Sequence, residues 1–471
     1  MFDMQDDNLN PRKRKPDSEQ KIQFDQYRKL IKEIGVMNFD SEIMDDMVDF
    51  YIENGNYEEA LEVIQYIIDT IPTSSEAWTK KGIVLSSMNE WEEALHCYNT
   101  ALNYNPADVE IHLNKGICLD FIGSYTDALE SFSNALKFDP MNSDAYFNIG
   151  ITYEKMEKWQ LSIENFHRCL ALNPNNKESN FELGYCYDML GESKRAVDYY
   201  TKQIDLDPYN VNAWYNLGIA LGRQNKNEEA INAFDMALAI DSEFSQSIFN
   251  KANTMARMGK YLQSIELYKE FLEIEPDDIA AKQNIGNAYL EIEQFDLSVK
   301  YLNEVVNIEK DNAEAYYSLG CAYDGLERFI EALQAFKLAV KYESSNSEFI
   351  YAVADTLYNL GKINESYDLY KLVVALDSQN HLALFDLAET AYELNEFAEA
   401  EKAIKSALKI QPEDYNYRIL AAQISFALDK TTIAWKHLKY AVKIDPDRLK
   451  SVLEKIPALM EDDFIKTLFK N

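Results

Sequence analysis

Catalytic and metal sites are assembled mostly from histidine, cysteine and carboxylate side chains held at matched spacings. This chain has five histidines, five cysteines and 80 acids. His96, His112, His167, His381 and His437 share no spacing that would set two of them on one helix face as ligands, and no His-Glu-x-x-His is present. Cys97, Cys118, Cys169, Cys186 and Cys321 form no Cys-x-x-Cys pair. Neither zinc nor a disulfide framework is expected; buried free thiols in a reducing compartment are. The sequence shows no phosphate loop, dinucleotide glycine pattern or serine elbow. With 80 acids in 471 residues, close carboxylate pairs arise from composition alone and do not single out a general acid or base. No catalysis, cofactor or metal is expected.

The polar residues that do recur are asparagines. Asn114, Asn148, Asn216, Asn250 and Asn284 stand in one 34-residue register, interrupted once by Glu182. An amide offers both a donor and an acceptor, so it can pair with a peptide unit of any sequence. The surroundings of the last three suit an extended peptide: Asn253 and Asn287 add amides, Tyr215 and Phe249 add aromatic platforms, and Arg223 and Arg257 offer partners for a carboxylate. Asn212, Gln246 and Ala280 replace acids found earlier in the chain. The alternative is that these Asn support the fold or bind water.

A register of 34 residues implies a repeated element. Pro72, Pro106, Pro140, Pro174 and Pro208 keep it, and Pro276, Pro412 and Pro446 resume it. Gly82, Gly116, Gly150, Gly184, Gly218, Gly286 and Gly320 share the spacing. Twelve copies run from Ser41 to Arg448 without insertion or deletion, starting at 41, 75, 109, 143, 177, 211, 245, 279, 313, 347, 381 and 415. Positions are numbered 1–34 within each copy. Position 20 is Ala or Ser in all twelve, position 8 is Gly or Ala in all but the first, which has Val48, and position 24 is a large side chain such as Phe166 or Phe234. Small residues at 8 and 20 let two helices cross closely, with position 24 as the knob between them. Helix A is expected at positions 2–14 and helix B at about 16–30. A left-handed turn is expected at position 15, where Gly55, Gly123, Gly191, Gly259 and Gly361 or Asn89, Asn225 and Asn395 stand. The proline at position 32 stops helix B.

In the copy beginning at 143 these positions read Tyr146, Ile149, Gly150, Tyr153, Ser162, Phe166 and Pro174. In the copy at 211 they read Trp214, Leu217, Gly218, Leu221, Ala230 and Phe234, with Ser242 in place of proline. The pattern resembles the tetratricopeptide repeat (TPR) over residues 41–448. That resemblance implies an all-α fold, a right-handed α-solenoid of twelve helix pairs with terminal capping helices. It also implies a concave groove lined by positions 2, 5, 6, 9, 12 and 13 of helix A. The asparagines then resemble the ladder in the repeat domain of O-linked N-acetylglucosamine transferase, which grips the backbone of bound protein segments. Repeats that clamp the C-terminal carboxylate of heat-shock chaperones carry basic residues at positions 2 and 5; here neither position is ever Lys or Arg, so that role is not expected.

Glu76, Glu110, Asp144 and Glu178 at position 2, with Asp120, Glu154 and Asp188 at position 12, make the earlier groove acidic. They are either an electrostatic guide for a basic or mixed-charge segment or simply a solvated face. Lys and Arg total 46, giving a net charge of −34, which opposes a nucleic-acid partner. The start of the chain does not read as a signal peptide and no apolar run approaches 20 residues, so a cytoplasmic protein without membrane insertion is expected. Residues 1–17 read as a disordered tail with a basic run at 12–15, either a targeting signal or an electrostatic tail. Residues 18–40 hold a capping helix over about 19–34, with Phe24, Tyr27, Leu30, Ile31 and Ile34 on one face, and 449–471 read as a C-terminal capping helix. The function expected is non-catalytic binding of extended client segments in the groove. The alternative is a scaffold that holds folded subunits by its convex face or its ends.

Overall fold

The computed structural model describes residues 18–34 and 41–445. The expected tail over 1–17, with its basic run, and the helix over 449–471 lie outside them. The described residues form twenty-five helices and no strand. The chain divides into two compact units, Met1–Ser242 and Glu243–Asn471. Within each unit a helix packs chiefly on its neighbours in sequence, the contact pattern of an all-α solenoid built from helix pairs.

Helix A occupies positions 1–13, as in Lys177–Met189, and helix B positions 17–30, as in Ser193–Leu206. Helix A thus starts one residue earlier than expected, and the cause is position 34. Ser74, Asp108, Asn142, Asn176 and Asn210 stand there, and each side chain accepts from a backbone N–H of the first turn; Asn176 Oδ1 receives Ser179 N–H at 2.7 Å. Such a cap stabilises a helix by about 1 kcal/mol. Phe244 holds this position between the repeats at 211 and 245 and offers no side-chain acceptor. It lies two residues after Ser242, the missing proline, where one unit gives way to the next.

Position 15 is left-handed in all twelve repeats. The five glycines and three asparagines were expected. Glu157, Glu293, Glu327 and Asp429 adopt the same conformation at φ 56–58°. The geometry is imposed by the turn: Gly123 N–H reaches Asp120 O at 3.1 Å and Ser124 N–H reaches Leu119 O at 2.9 Å, closing the end of helix A on its own last carbonyls.

The close helix crossing is as the small residues imply. All twelve position 20 side chains are fully buried, and Ser162 Oγ donates to Gly150 O at 2.8 Å across the crossing. A Cβ on Gly218 would stand 2.5 Å from the Phe234 ring, and one on Gly150 would stand 2.6 Å from Phe166. The position 8 glycine is therefore the socket for the position 24 ring. Position 4 ties successive repeats: Trp78 and Trp214 donate their indole N–H to Pro72 O and Pro208 O at 2.9 Å, and His112 Nε2 lies 3.0 Å from Pro106 O.

The amino-terminal helix spans Ser18–Ile34. Phe24 and Ile31 are buried against Met44, Met47, Phe50 and Tyr51, with Tyr27 packed alongside. Phe24 meets Phe50 edge-on at 5.3 Å, and Tyr51 Oη donates to Asp25 at 3.0 Å. Leu30, expected on this face, is 38% exposed, so the buried stripe is narrower than the sequence suggests.

Candidate functional site

The A helices present a repeated row of polar side chains in each unit. In the amino-terminal unit Asn114, Asn148 and Asn216 are all half-buried at position 6. Asn148 Nδ2 donates to Asp144 O at 2.8 Å, one turn back on its own helix. Asn114 and Asn216 make no side-chain hydrogen bond among the described residues. In the carboxy-terminal unit, Asn250 Nδ2 donates to Gln246 O at 3.0 Å. Asn253 Oδ1 accepts both Tyr268 Oη at 2.6 Å and Asn284 Nδ2 at 3.1 Å, joining the repeats at 245 and 279. Asn287 Oδ1 is buried without a hydrogen-bond partner. The structure thus brings Asn253, Asn284 and Asn287 onto adjoining helices, Ser245–Arg257 and Ile279–Glu291, and spends two of the three amides on the fold.

The aromatic residues expected as platforms are half-buried and pack on core rings. Tyr215 lies against Phe234 with ring centroids 6.1 Å apart, and Phe249 lies against Tyr268 at 5.8 Å and Phe271 at 5.1 Å. Position 5 sits one turn before position 8, beside the ring that enters its socket. Phe147 on Phe166, Phe181 on Tyr200 and Tyr351 on Tyr370 repeat the arrangement at 5.6, 5.8 and 5.7 Å.

Arg223 is likewise already engaged. Its guanidinium pairs closely with the Asp188 carboxylate and reaches Asp188 O at 3.4 Å. Arg257 is exposed and touches Thr254 Oγ1 at 3.5 Å. The position 12 acids are not a free guiding field either. Asp120 is buried, accepts Thr152 Oγ1 at 2.8 Å and pairs with Lys155. Glu154 Oε2 lies 3.9 Å from the Cys186 thiol, and burial raises its carboxyl to about 7.

These contacts obey a spacing that the sequence does carry. Asp120 to Lys155, Asp188 to Arg223, Tyr351 to Asp386 and Tyr358 to Glu393 are each 35 residues apart, one step beyond the repeat. Asn253 to Asn284 and Tyr317 to Glu348 are 31 apart, one turn earlier. Asp120 to Thr152 and Glu154 to Cys186 are 32 apart, so partners on successive A helices fall beside the 34-residue spacing and not on it.

The carboxy-terminal unit also carries acids that the sequence reading did not single out. Asp386, whose partner is Tyr351 Oη at 2.6 Å, is raised to about 6, first by burial and then by Asp355 and Glu389. Asp324, Asp355 and Glu389 are raised too, each first by burial. Among the described residues no Lys or Arg acts on these four. All five cysteines are free, four of them buried. His112, His167 and His381 contact Pro106 O, Tyr187 Oη and Tyr417 Oη. Among the described residues no helix is long and apolar enough to cross a membrane.

Models of the tetratricopeptide repeat match residues 143–176 and 211–244, 255–320 and 360–424, 166–198, and 313–346; one described as a TPR repeat matches 82–118 and 122–157. No curated protein matches the chain. Solved structures similar to parts of it include a MamA protein, 25% identical, over 37% of this chain and 94% of that one, with a TM-score of 0.34. YrrB, described as a TPR protein with an unusual peptide-binding site, is 24% identical over 40% of this chain and 97% of its own, at 0.35. The C-terminal part of a TPR repeat-containing protein from Cytophaga hutchinsonii is 17% identical over 50% and 98%, at 0.44. The segments that the repeat models match make up more than half of the sequence, and the chain belongs to the tetratricopeptide-repeat family.

Proposed function

We propose that this chain is a non-catalytic binding protein that holds extended segments of other proteins along the A-helix faces of its repeats. The observation that carries the reading is the pair Asn114 and Asn216, half-buried at position 6 with side-chain amides that make no hydrogen bond among the described residues. Such an amide offers a donor and an acceptor to one peptide unit of an extended segment. Asp324, Asp355, Asp386 and Glu389 favour a basic or mixed-charge segment, because a cation beside them would offset their mutual repulsion. The net charge of −34 disfavours nucleic acid, and five free thiols suit a reducing compartment such as the cytoplasm.

A displayed random-peptide library panned against the full chain tests this. Enriched peptides are expected to lose roughly thirtyfold in affinity for Asn284→Ala/Asn287→Ala or for Asn114→Ala/Asn216→Ala, at about 1 kcal/mol per amide, while helicity is retained. Peptides that bind both variants as tightly as wild type would rule out the amide rows. The scaffold reading, through outer faces or array ends, would then replace them.

A further inference from the structure

One stripe of the last two B helices is all lysine. Positions 22, 25 and 29 are Lys402, Lys405 and Lys409 on helix Phe397–Ile410, and Lys436, Lys439 and Lys443 on helix Thr431–Ile444. All six side chains are exposed. The same three positions of the first ten copies hold ten acids and only six lysines, so the repeat does not by itself call for lysine there. Helix Thr431–Ile444 carries no acid at all. The macrodipole favours a cation in the last turn of a helix, which accounts for Lys409 and Lys443 but not for the four lysines before them.

The two rows adjoin. Lys430, which precedes helix Thr431–Ile444, donates to both carboxylate oxygens of Glu401 on helix Phe397–Ile410 at 2.7 Å each. Within their own helix Glu399 pairs with Lys402 at 3.4 Å and Glu401 with Lys405 at 3.0 Å. Lys409, Lys436 and Lys443 make no ion pair among the described residues. Lys443 instead lies 5.8 Å over the ring of the exposed Tyr440, which the Arg418 guanidinium approaches at 4.6 Å. His437 feels both rows: burial first, then Arg418, Lys436 and Lys405, lowers its pKa. In a chain with 80 acids, this face still has more cations than nearby carboxylates to pair them.

We propose that the lysine face docks an acidic segment of a partner protein. Along each helix the three positions follow one another at about 4.5–6 Å, and packed helices lie about 8–10 Å apart. An extended segment brings alternate side chains to one side about 6.6 Å apart, so its carboxylates can follow a row or cross between rows. Lysine offers point charges in place of the guanidinium fork, which suits several loosely placed carboxylates. The face is also bounded. In the preceding copy position 22 is Asp368, position 29 is Ala375, and Lys371 between them pairs with Asp368. That extent fits a short segment better than a membrane surface. The net charge of −34 does not cancel the attraction, because physiological salt screens charges beyond about 8 Å. This site is separate from the A-helix faces and does not depend on what they hold.

The test is fluorescence anisotropy of the full chain with a labelled peptide of alternating Asp and Ser, about twelve residues long. Binding is expected at low salt, weakening roughly tenfold as salt rises by a few tenths molar. Lys436→Gln/Lys439→Gln/Lys443→Gln is expected to lose roughly tenfold in affinity. Lys137→Gln/Lys300→Gln/Lys341→Gln removes the same charge from equivalent positions of other copies and is expected to change affinity less than about twofold, as is Asn284→Ala/Asn287→Ala. Phosphatidylserine vesicles are expected not to displace the peptide. Absence of binding, an equal loss in both lysine variants, a matching loss in the Asn variant, or displacement by vesicles would each overturn the proposal, the last in favour of a membrane surface. Should the first variant not fold, Lys402→Gln/Lys405→Gln/Lys409→Gln carries the same expectation.

Discussion

At the scale of the residue, the repeat rests on a size match between positions 8 and 24. Gly218 leaves room for Phe234, and a Cβ there would be 2.5 Å from the ring. The first repeat solves the same problem with Val48 against Ile64, both fully buried. This gives a two-sided prediction. Gly218→Val overpacks the crossing and Phe234→Ile empties it, so each single variant is expected to lose roughly 1–3 kcal/mol in denaturant unfolding. The double variant recreates the Val48–Ile64 pair and is expected to recover at least half of the summed loss; simple additivity would show that the two positions are not a socket and its knob. Both positions were legible in the sequence because a steric rule repeats wherever the crossing repeats. Glu157, Glu293, Glu327 and Asp429 were not legible as left-handed residues. Nothing in an acidic side chain announces that conformation, and the turn imposes it through backbone bonds that any residue can make.

At the scale of the element, the junction between A helices explains why the polar residues were read only in part. A 34-residue register finds residues that share a position, and so it finds the asparagine row. Contacts between neighbouring A helices join different positions, 35, 32 or 31 apart, and the register alone does not show them. Arg223 therefore looked available to a ligand when it is the partner of Asp188, and Asp120 looked like part of a guiding field when it is closed by Thr152 and Lys155. Tyr215 and Phe249 have a packing role that the register does not show, because the ring at position 24 lies within reach of position 5. The tie at Arg223 has a measurable consequence. The Arg223 side chain is half exposed, so solvent screens much of the attraction, while Asp188 is only 12% exposed and loses its partner in Arg223→Ala. A destabilisation of about 1 kcal/mol is expected at low salt, shrinking as salt is added. A loss that does not change with salt would mean that the stem of Arg223, not its charge, carries the contact.

At the scale of the whole molecule, charge sets the conditions under which the array is firm. A net charge of −34 repels itself in the compact state, and the acids most altered by folding are shifted upward. Asp386 rises from 3.8 to about 6, and Asp45, Asp324, Asp355 and Glu389 also rise, in every case first through burial. A carboxyl raised by folding binds protons better in the folded state, so stability falls as pH rises from the unfolded value through the folded one. Glu401 works the other way, because Lys430 and Lys405 hold it down, but its contribution is lost only as pH falls below about 4.5. Between those limits the raised acids act against His167 and His437, which burial lowers and which favour higher pH; the acids are more numerous and set the sign. The thermal midpoint of the full chain is therefore expected to be higher at pH 5.5 than at pH 8, by roughly 3 °C, and Asp386→Asn is expected to reduce the difference. Salt at a few tenths molar should raise the midpoint at pH 8 and do less at pH 5.5, where fewer charges remain to be screened. A midpoint that climbs with pH instead would mean that His167 and His437 outweigh the buried acids, and that repulsion within this acidic chain is not what limits its stability.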